Sequence, residues 1–295
     1  FCLIIRFFKT EFSTFEQMIF STIKNWLIFG NIWVATNATA LCILIELHLF
    51  KKASPISLFV FLGTFSSYNL IRLLRLKRIR SPHKNLLKEW FLKHQIALWL
   101  LSILAVCAAI FIALDFSLTL WIYSGVAFGL SAAYIIPLFN GKSFRELPLI
   151  KLFIIGLIWA FTSVLLPAEF YHQNLSNATL LLAFCIGLFV MAITIPFDIR
   201  DIQSDNKNMK TIPQLFGIFL SKCIALGFLT LSFVLLYRCN IDINLTISSG
   251  VCFGISSVLI GYSSPKKTFN FFAFWVEAMP ITWLLAYLIL EYFIR

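Results

Sequence analysis

The sequence predicts an all-α fold, a polytopic transmembrane bundle of nine helices forming a single domain over residues 1–295. Three observations carry that expectation. Of the 295 residues 60% are hydrophobic and only 13% are charged, with 33 phenylalanines among them, far from the balance of a domain that folds in water. Apolar runs of roughly 18 to 25 residues recur along the whole chain, each long enough to cross a hydrocarbon core of ~30 Å at ~1.5 Å per residue. Basic residues gather in the short polar stretches between those runs, as topology demands. Stretches such as Leu98–Leu114 and Leu180–Ile195 lack the alternation that a β-barrel requires, so helices are the reading.

The spans fall near Ile23–Leu47, Ser54–Leu74, His94–Leu114, Leu118–Leu138, Leu149–Pro167, Ala178–Phe197, Pro213–Tyr237, Leu245–Tyr262 and Asn270–Tyr292. Taken in order, they are separated by alternately basic and less basic segments. Arg6, Lys9 and Lys24 lead into the first span, and Lys51 and Lys52 follow it on the opposite side. Arg75, Lys77, Arg78, Arg80, Lys84, Lys88 and Lys93 lie between the second and third. Lys142, Arg145 and Lys151 lie between the fourth and fifth; Arg200, Lys207 and Lys210 between the sixth and seventh; Lys266 and Lys267 between the eighth and ninth. Lys and Arg resist translocation, so this pattern places the N-terminus and these segments in the cytoplasm and the C-terminus outside. Arg238 and Arg295 fall on the outer side, and Arg72 and Lys222 fall within spans.

The net charge of +11 is spread over short loops, which suits topology and anionic lipid rather than nucleic acid. Cys2, Cys42, Cys107, Cys185, Cys223, Cys239 and Cys252 are scattered without close pairing and read as small apolar packing residues. The segment Phe1–Phe20 mixes charges with aromatics and lacks a signal-peptide cleavage pattern, leaving an interfacial helix or an ill-defined start. The longest polar stretches, Arg75–Lys93 and Asp198–Thr211, are too short for a soluble domain. They lie four spans apart, a spacing that hints at a duplicated four-helix unit followed by a ninth helix, with the working site between the halves.

The second of these stretches is the most informative. In Ile195-Pro-Phe-Asp198-Ile-Arg-Asp201-Ile-Gln-Ser-Asp205, Asp201 lies about 60° and Asp205 about 20° from Asp198 around a helix, provided the sixth helix continues past Pro196. Three carboxylates on one face repel one another unless a cation sits among them, and Mg²⁺ with substrate phosphate is one such cation. The other reading is a solvated loop whose acids pair with Arg200, Lys207 and Lys210. An Asp-x-x-Asp-x-x-x-Asp sequence ending a transmembrane helix, followed by Thr211-Ile-Pro213, resembles the second aspartate motif of the UbiA family of intramembrane prenyltransferases. Tyr134-Ile-Ile-Pro137 and Arg145-x-x-Pro148-x-x-Lys151 resemble the stretch joining that family's fourth and fifth helices.

The resemblance implies a transferase in which a polyprenyl diphosphate, held through Mg²⁺ by two aspartate motifs, passes its prenyl group to an aromatic or lipid acceptor. It assigns Asp198, Asp201 and Asp205 to catalysis and magnesium, and Tyr68, Asn69, Arg72, Tyr134, Arg145, Lys151 and Lys210 to the substrate-binding mouth. At the family's first motif this chain departs: Tyr68-Asn69-Leu70-Ile-Arg72-Leu73-Leu-Arg75-Leu-Lys77 keeps the Asn but has Leu70, Leu73 and Lys77 at the acidic positions. Arg72, about 60° from Asn69 on the helix, lies within membrane depth, where a charge has a partner or a function. It grips a diphosphate or carboxylate, pairs with Asp198 or Asp201 in place of a metal, or snorkels to the interface. Glu277, before Pro280 in the ninth span, is an intramembrane acid that marks an acceptor pocket or pairs with a neighbour. His48, His83, His94 and His172 share no spacing and are not read as ligands. Beside the transferase stands a non-catalytic isoprenoid-lipid binding or transport protein on the same fold, which the degenerate first motif favours.

Overall fold

The computed structural model describes residues 21–76, 82–134, 144, 147, 149–173, 175–206, 209–238 and 242–294. Helices dominate it, and no strand occurs among the described residues. Eight helices are long and apolar enough to span a membrane, and a ninth, shorter one lies between the third and fourth of them. They are α1 (Ile32–Phe50), α2 (Pro55–Arg75), α3 (Pro82–Ala113), α4 (Leu118–Ala133), α5 (Ile150–Phe170), α6 (Asn177–Arg200), α7 (Ile212–Arg238), α8 (Ile243–Tyr262) and α9 (Phe271–Phe293). Each expected span has its helix.

The boundaries differ in instructive ways. Residues 21–29 are helical, but the first span is broken at Gly30 and Asn31, the latter in left-handed backbone at φ 60°. Asn69 holds the break. Its amide donates to the Gly30 carbonyl at 2.9 Å and accepts from Asn31 at 2.8 Å. A Cβ on Gly30 would stand 2.3 Å from the Trp26 carbonyl oxygen, so only glycine fits there. Much of the polar stretch before the third span is not loop, because α3 begins at Pro82, where a proline at the first turn sacrifices no hydrogen bond.

α6 is the central helix, packed against α5, α7 and α8. From Cys185 to Ile193 every residue is buried. Around it Phe189, Phe253 and Trp283 form an aromatic core with ring centroids 5.0–5.2 Å apart. Gly156 of α5 and Gly187 of α6 let those helices approach closely: a Cβ at Gly156 would lie 2.9 Å from the Gly187 carbonyl oxygen. Small residues at such crossings are how membrane helices gain packing without a hydrophobic drive. The cysteines fit this picture, since Cys42, Cys185 and Cys252 are buried, while Cys107 and Cys223 are exposed.

Two helices are interrupted by π-helical turns, α5 at Phe161–Leu165 and α9 at Phe271–Val276. Backbone groups freed by such an interruption need partners inside a membrane. Asn37 of α1 supplies one, accepting from the Ile281 N–H just past Pro280 at 3.3 Å. Trp33 supplies another contact, donating to the Phe274 carbonyl at 3.2 Å while stacking on its ring. At the opposite end of the bundle Lys51 ties α1 to Asp242 at 3.1 Å and to the Tyr287 hydroxyl at 3.3 Å. The site candidates gather at the other end.

Candidate functional site

The C-terminal end of α6 carries the three aspartates. The helix continues past Pro196 to Arg200, so Asp198 lies on it, buried at 3% exposure. Asp201 is already its C-terminal cap, and the chain then turns: the N–H groups of Ser204 and Asp205 both donate to the Asp201 carbonyl. The one-face geometry expected for three carboxylates therefore does not extend to Asp205. The turn instead returns Asp205 toward α5. Lys151, near the start of α5, places its ammonium 2.5 Å from Asp198 and 3.8 Å from Asp205. Asp201 pairs with the neighbouring Arg200 through two bonds of 3.0 and 2.9 Å.

Thus the carboxylates split into two groups, each with its own cation. Among the described residues no three of His, Cys, Asp and Glu gather closely enough to hold a metal. The small cleft beside Lys151 and Asp198 is lined also by Leu149, Leu152, Met209, Thr211 and Ile212. Leu149 stands in left-handed backbone at φ 61° and Lys210 at φ 44°, the kind of local strain that persists where surrounding structure over-determines it. The Thr211 hydroxyl is buried there without a hydrogen-bond partner among the described residues, and sequence patterning gave no sign of it. Lys210 itself is exposed, and Arg145 lies outside the described residues.

The second cluster lies deeper, between α2, α5, α6 and α9. From Cys185 to Asp201 of α6 the residues that keep accessible surface are Thr194, Phe197, Arg200 and Asp201, and Thr194, Phe197 and Asp201 fall within about 60° of one another on the helix. Tyr68 and Glu277 keep accessible surface too although protein surrounds them, so the space they border lies within the bundle. Tyr68 of α2 is enclosed by protein yet keeps some accessible surface, and the groups acting on it are Glu277, Tyr134, Trp159 and Arg72, with Trp159 in hydrogen-bonding reach. Glu277 is likewise enclosed and partly accessible, with Arg72 and Arg200 as its cationic neighbours.

Aromatic rings line the cavity's mouth. The Arg200 guanidinium lies 5.3, 5.4 and 5.6 Å from the rings of Phe197, Phe269 and Phe272. Arg72 donates to the Phe29 carbonyl at 3.4 Å, and Phe29 in turn packs against Phe269. Arg72 of α2 and Arg200 of α6 thus both act on Glu277 of α9, while Glu277, Tyr134 and Arg72 act on Tyr68. Asn69 is not in this group. It is fully buried and its amide is spent on Asn31, Gly30 and Phe65, which makes it a fastener of the helix break.

No family model and no curated protein matches this sequence. The backbone does find counterparts. A UbiA homolog from Archaeoglobus fulgidus, bound to GPP and Mg²⁺, superposes with a TM-score of 0.65 over 90% of this chain and 98% of its own, at 12% sequence identity. The chain has the UbiA fold. A further structure of a UbiA homolog from Archaeoglobus fulgidus gives a TM-score of 0.60 with the same identity and coverage. Digeranylgeranylglyceryl phosphate synthase gives 0.54 at 15% identity, over 91% of this chain and 98% of its own. On this fold Tyr68, Asn69 and Arg72 lie on α2, and Asp198 and Asp201 lie at the end of α6.

Proposed function

We propose that the protein is a membrane prenyltransferase that binds a prenyl diphosphate at this end of the bundle and passes the prenyl group to a hydrophobic acceptor inside the cavity. The observation that carries the reading is that Arg72 of α2 and Arg200 of α6 are both cationic neighbours of Glu277 on α9 in a chain with the UbiA fold. The cavity's mouth faces the cytoplasm, where the basic segments place it.

Magnesium accompanies GPP in the Archaeoglobus fulgidus homolog, but the carboxylates of this chain do not fit a metal as arranged. The cation between Asp198 and Asp205 is the Lys151 ammonium. The diphosphate is instead met by the chain's own cations, above all Arg72, whose guanidinium suits phosphate oxygens. The bond from prenyl carbon to oxygen breaks with its electron pair leaving on the diphosphate, positive charge developed on the carbon is faced by the Phe197 ring, and the acceptor's electron pair forms the new bond to that carbon as the acceptor gives up a proton to the departing diphosphate. The apolar walls exclude the water that would otherwise capture that carbon.

A second reading, a binder of isoprenoid lipid without catalysis, is favoured by Leu70 and Leu73 in place of acids and by the Lys151 bridge. One experiment separates them. Purified protein supplied with geranyl diphosphate and lipid or aromatic acceptors is expected to release pyrophosphate, and Asp201→Asn, which unties Arg200, to lose most of that release. No release with any acceptor, with or without Mg²⁺, together with thermal stabilisation by a neutral prenyl alcohol, would establish the binder.

A further inference from the structure

Two lysines from different elements meet consecutive residues at the end of α8. Lys222 of α7 donates to the Gly261 carbonyl at 2.6 Å, and the Lys267 ammonium, in the turn before α9, lies 5.6 Å from the Tyr262 ring and 5.6 Å from the Phe271 ring. α7 is broken at Gly217, whose backbone stands at φ 75° and ψ 172°, so Lys222 is only about one turn into the helix that follows the break. Both ammoniums therefore lie near the level at which α8 ends, on the side of the bundle where α6 stops and α7 starts. Among the described residues neither lysine meets a carboxylate. From Asn206 to Val276 the chain has one acid, Asp242, and that acid pairs with Lys51 at the opposite end. A lysine in a span that serves nothing else extends to water. Lys222 instead folds onto a carbonyl, a bond that uses one of the three donors an ammonium carries.

We propose that the adjoining ends of α7 and α8 form a site for one anionic phospholipid, its headgroup phosphate held by Lys222 and Lys267 and its chains lying on the outer faces of the two helices. Charge complementarity selects the occupant. Two cations without a carboxylate between them attract an anion, and the anion that a membrane surface supplies is the lipid phosphodiester, which lysine meets as a point charge. A zwitterionic lipid offers the same phosphate but brings a cation of its own, which the two lysines repel. The approach is open, since a Cβ on Gly261 would have no atom within 4 Å. Tyr262 is exposed at headgroup level, where an amphipathic ring is favoured, and Phe219 of α7 with Ile255 and Val258 of α8 are exposed apolar surface for the acyl chains. The site is on the outside of the bundle and does not depend on the transferase reading.

The test counts lipids bound to the full-length protein in detergent by native mass spectrometry, with dioleoyl phosphatidylglycerol and dioleoyl phosphatidylcholine as probes. The wild type is expected to bind one phosphatidylglycerol about tenfold or more tightly than phosphatidylcholine, as two basic groups near an anionic headgroup predict. Lys222→Gln and Lys267→Gln are each expected to weaken phosphatidylglycerol about fivefold and to leave phosphatidylcholine unchanged, while Lys222→Arg keeps the preference. Lys267 stands in an exposed turn, so its variant remains usable even if Lys222→Gln does not fold. Lys93→Gln, at an exposed lysine of α3, is expected to change neither affinity. Glycerol phosphate in large excess is expected not to displace the lipid, because the acyl chains carry part of the binding. The proposal is overturned if the wild type takes both lipids alike, if neither site variant weakens phosphatidylglycerol more than Lys93→Gln does, or if glycerol phosphate displaces it. No prenyl diphosphate is present in this measurement, so a failure to release pyrophosphate elsewhere leaves its outcome unaffected.

Discussion

Replacing Lys151 with methionine is expected to cost about 3–5 kcal/mol of stability, the range found when one partner of a buried ion pair is removed. The side chains of Lys151, Asp198 and Asp205 are 13%, 3% and 6% exposed, so solvent screens their charges little. Without the ammonium two carboxylates face each other in a cleft whose other walls are mostly apolar. The variant Lys151→Met/Asp198→Asn is expected to recover at least half of the loss, because the excess buried charge is gone. Denaturation in mixed detergent micelles measures both. If the two substitutions add as independent losses, the residues are not coupled and the bridge is incidental.

The Arg72→Met variant is expected to bind geranyl diphosphate about 10- to 100-fold more weakly, since a charge-assisted hydrogen bond contributes about 1.5–3 kcal/mol. Its melting temperature without ligand is expected to fall as well, because Arg72 donates to the Phe29 carbonyl at 3.4 Å, lies 5.9 Å from the Phe91 ring and is a cationic neighbour of Glu277, so affinity is compared at a temperature where both proteins are folded. Lysine at this position restores the charge but not the planar fork, and so only part of the affinity. Calorimetry with geranyl diphosphate decides the matter. A change below about twofold would remove Arg72 from the diphosphate site.

These effects bear on what can be read from a sequence. Among the described residues the eight helices long enough to span were legible because each apolar run is set by the thickness of a bilayer, a constraint that acts locally on about 20 residues. The break at Gly30–Asn31 was not legible, because its cause is Asn69, 38 residues away in the chain. Asn69 itself matches a functional motif yet serves the fold, a distinction that residue type alone does not make. Among the aspartates, Asp198 follows the helical projection and Asp205 does not, because the helix ends at Arg200 and a turn through Ser204 redirects the chain.

The pairings of charge required the topology. Lys151 and Asp198 were both candidates, but their contact bridges 47 residues and owes its geometry to the packing of α5 on α6. Glu277 was visible as an acid in a membrane span. That Arg72 and Arg200 are its cationic neighbours depends on how α9 packs after the π turn preceding it, which no periodicity in the Phe-rich segment discloses. The orphaned Thr211 hydroxyl carried no signal at all, since threonine after a helix end is commonplace.

The central claim is that the space between α2, α6 and α9 is where a prenyl diphosphate lies. A diazirine-bearing prenyl diphosphate, photolysed on the protein in nanodiscs and mapped by mass spectrometry, tests it most directly. Adducts are expected on Tyr68 or Phe197, and excess geranyl diphosphate should suppress them. Labelling confined to outward-facing residues such as Phe111 or Phe219, which are 74% and 81% exposed, and indifferent to competitor, would contradict it.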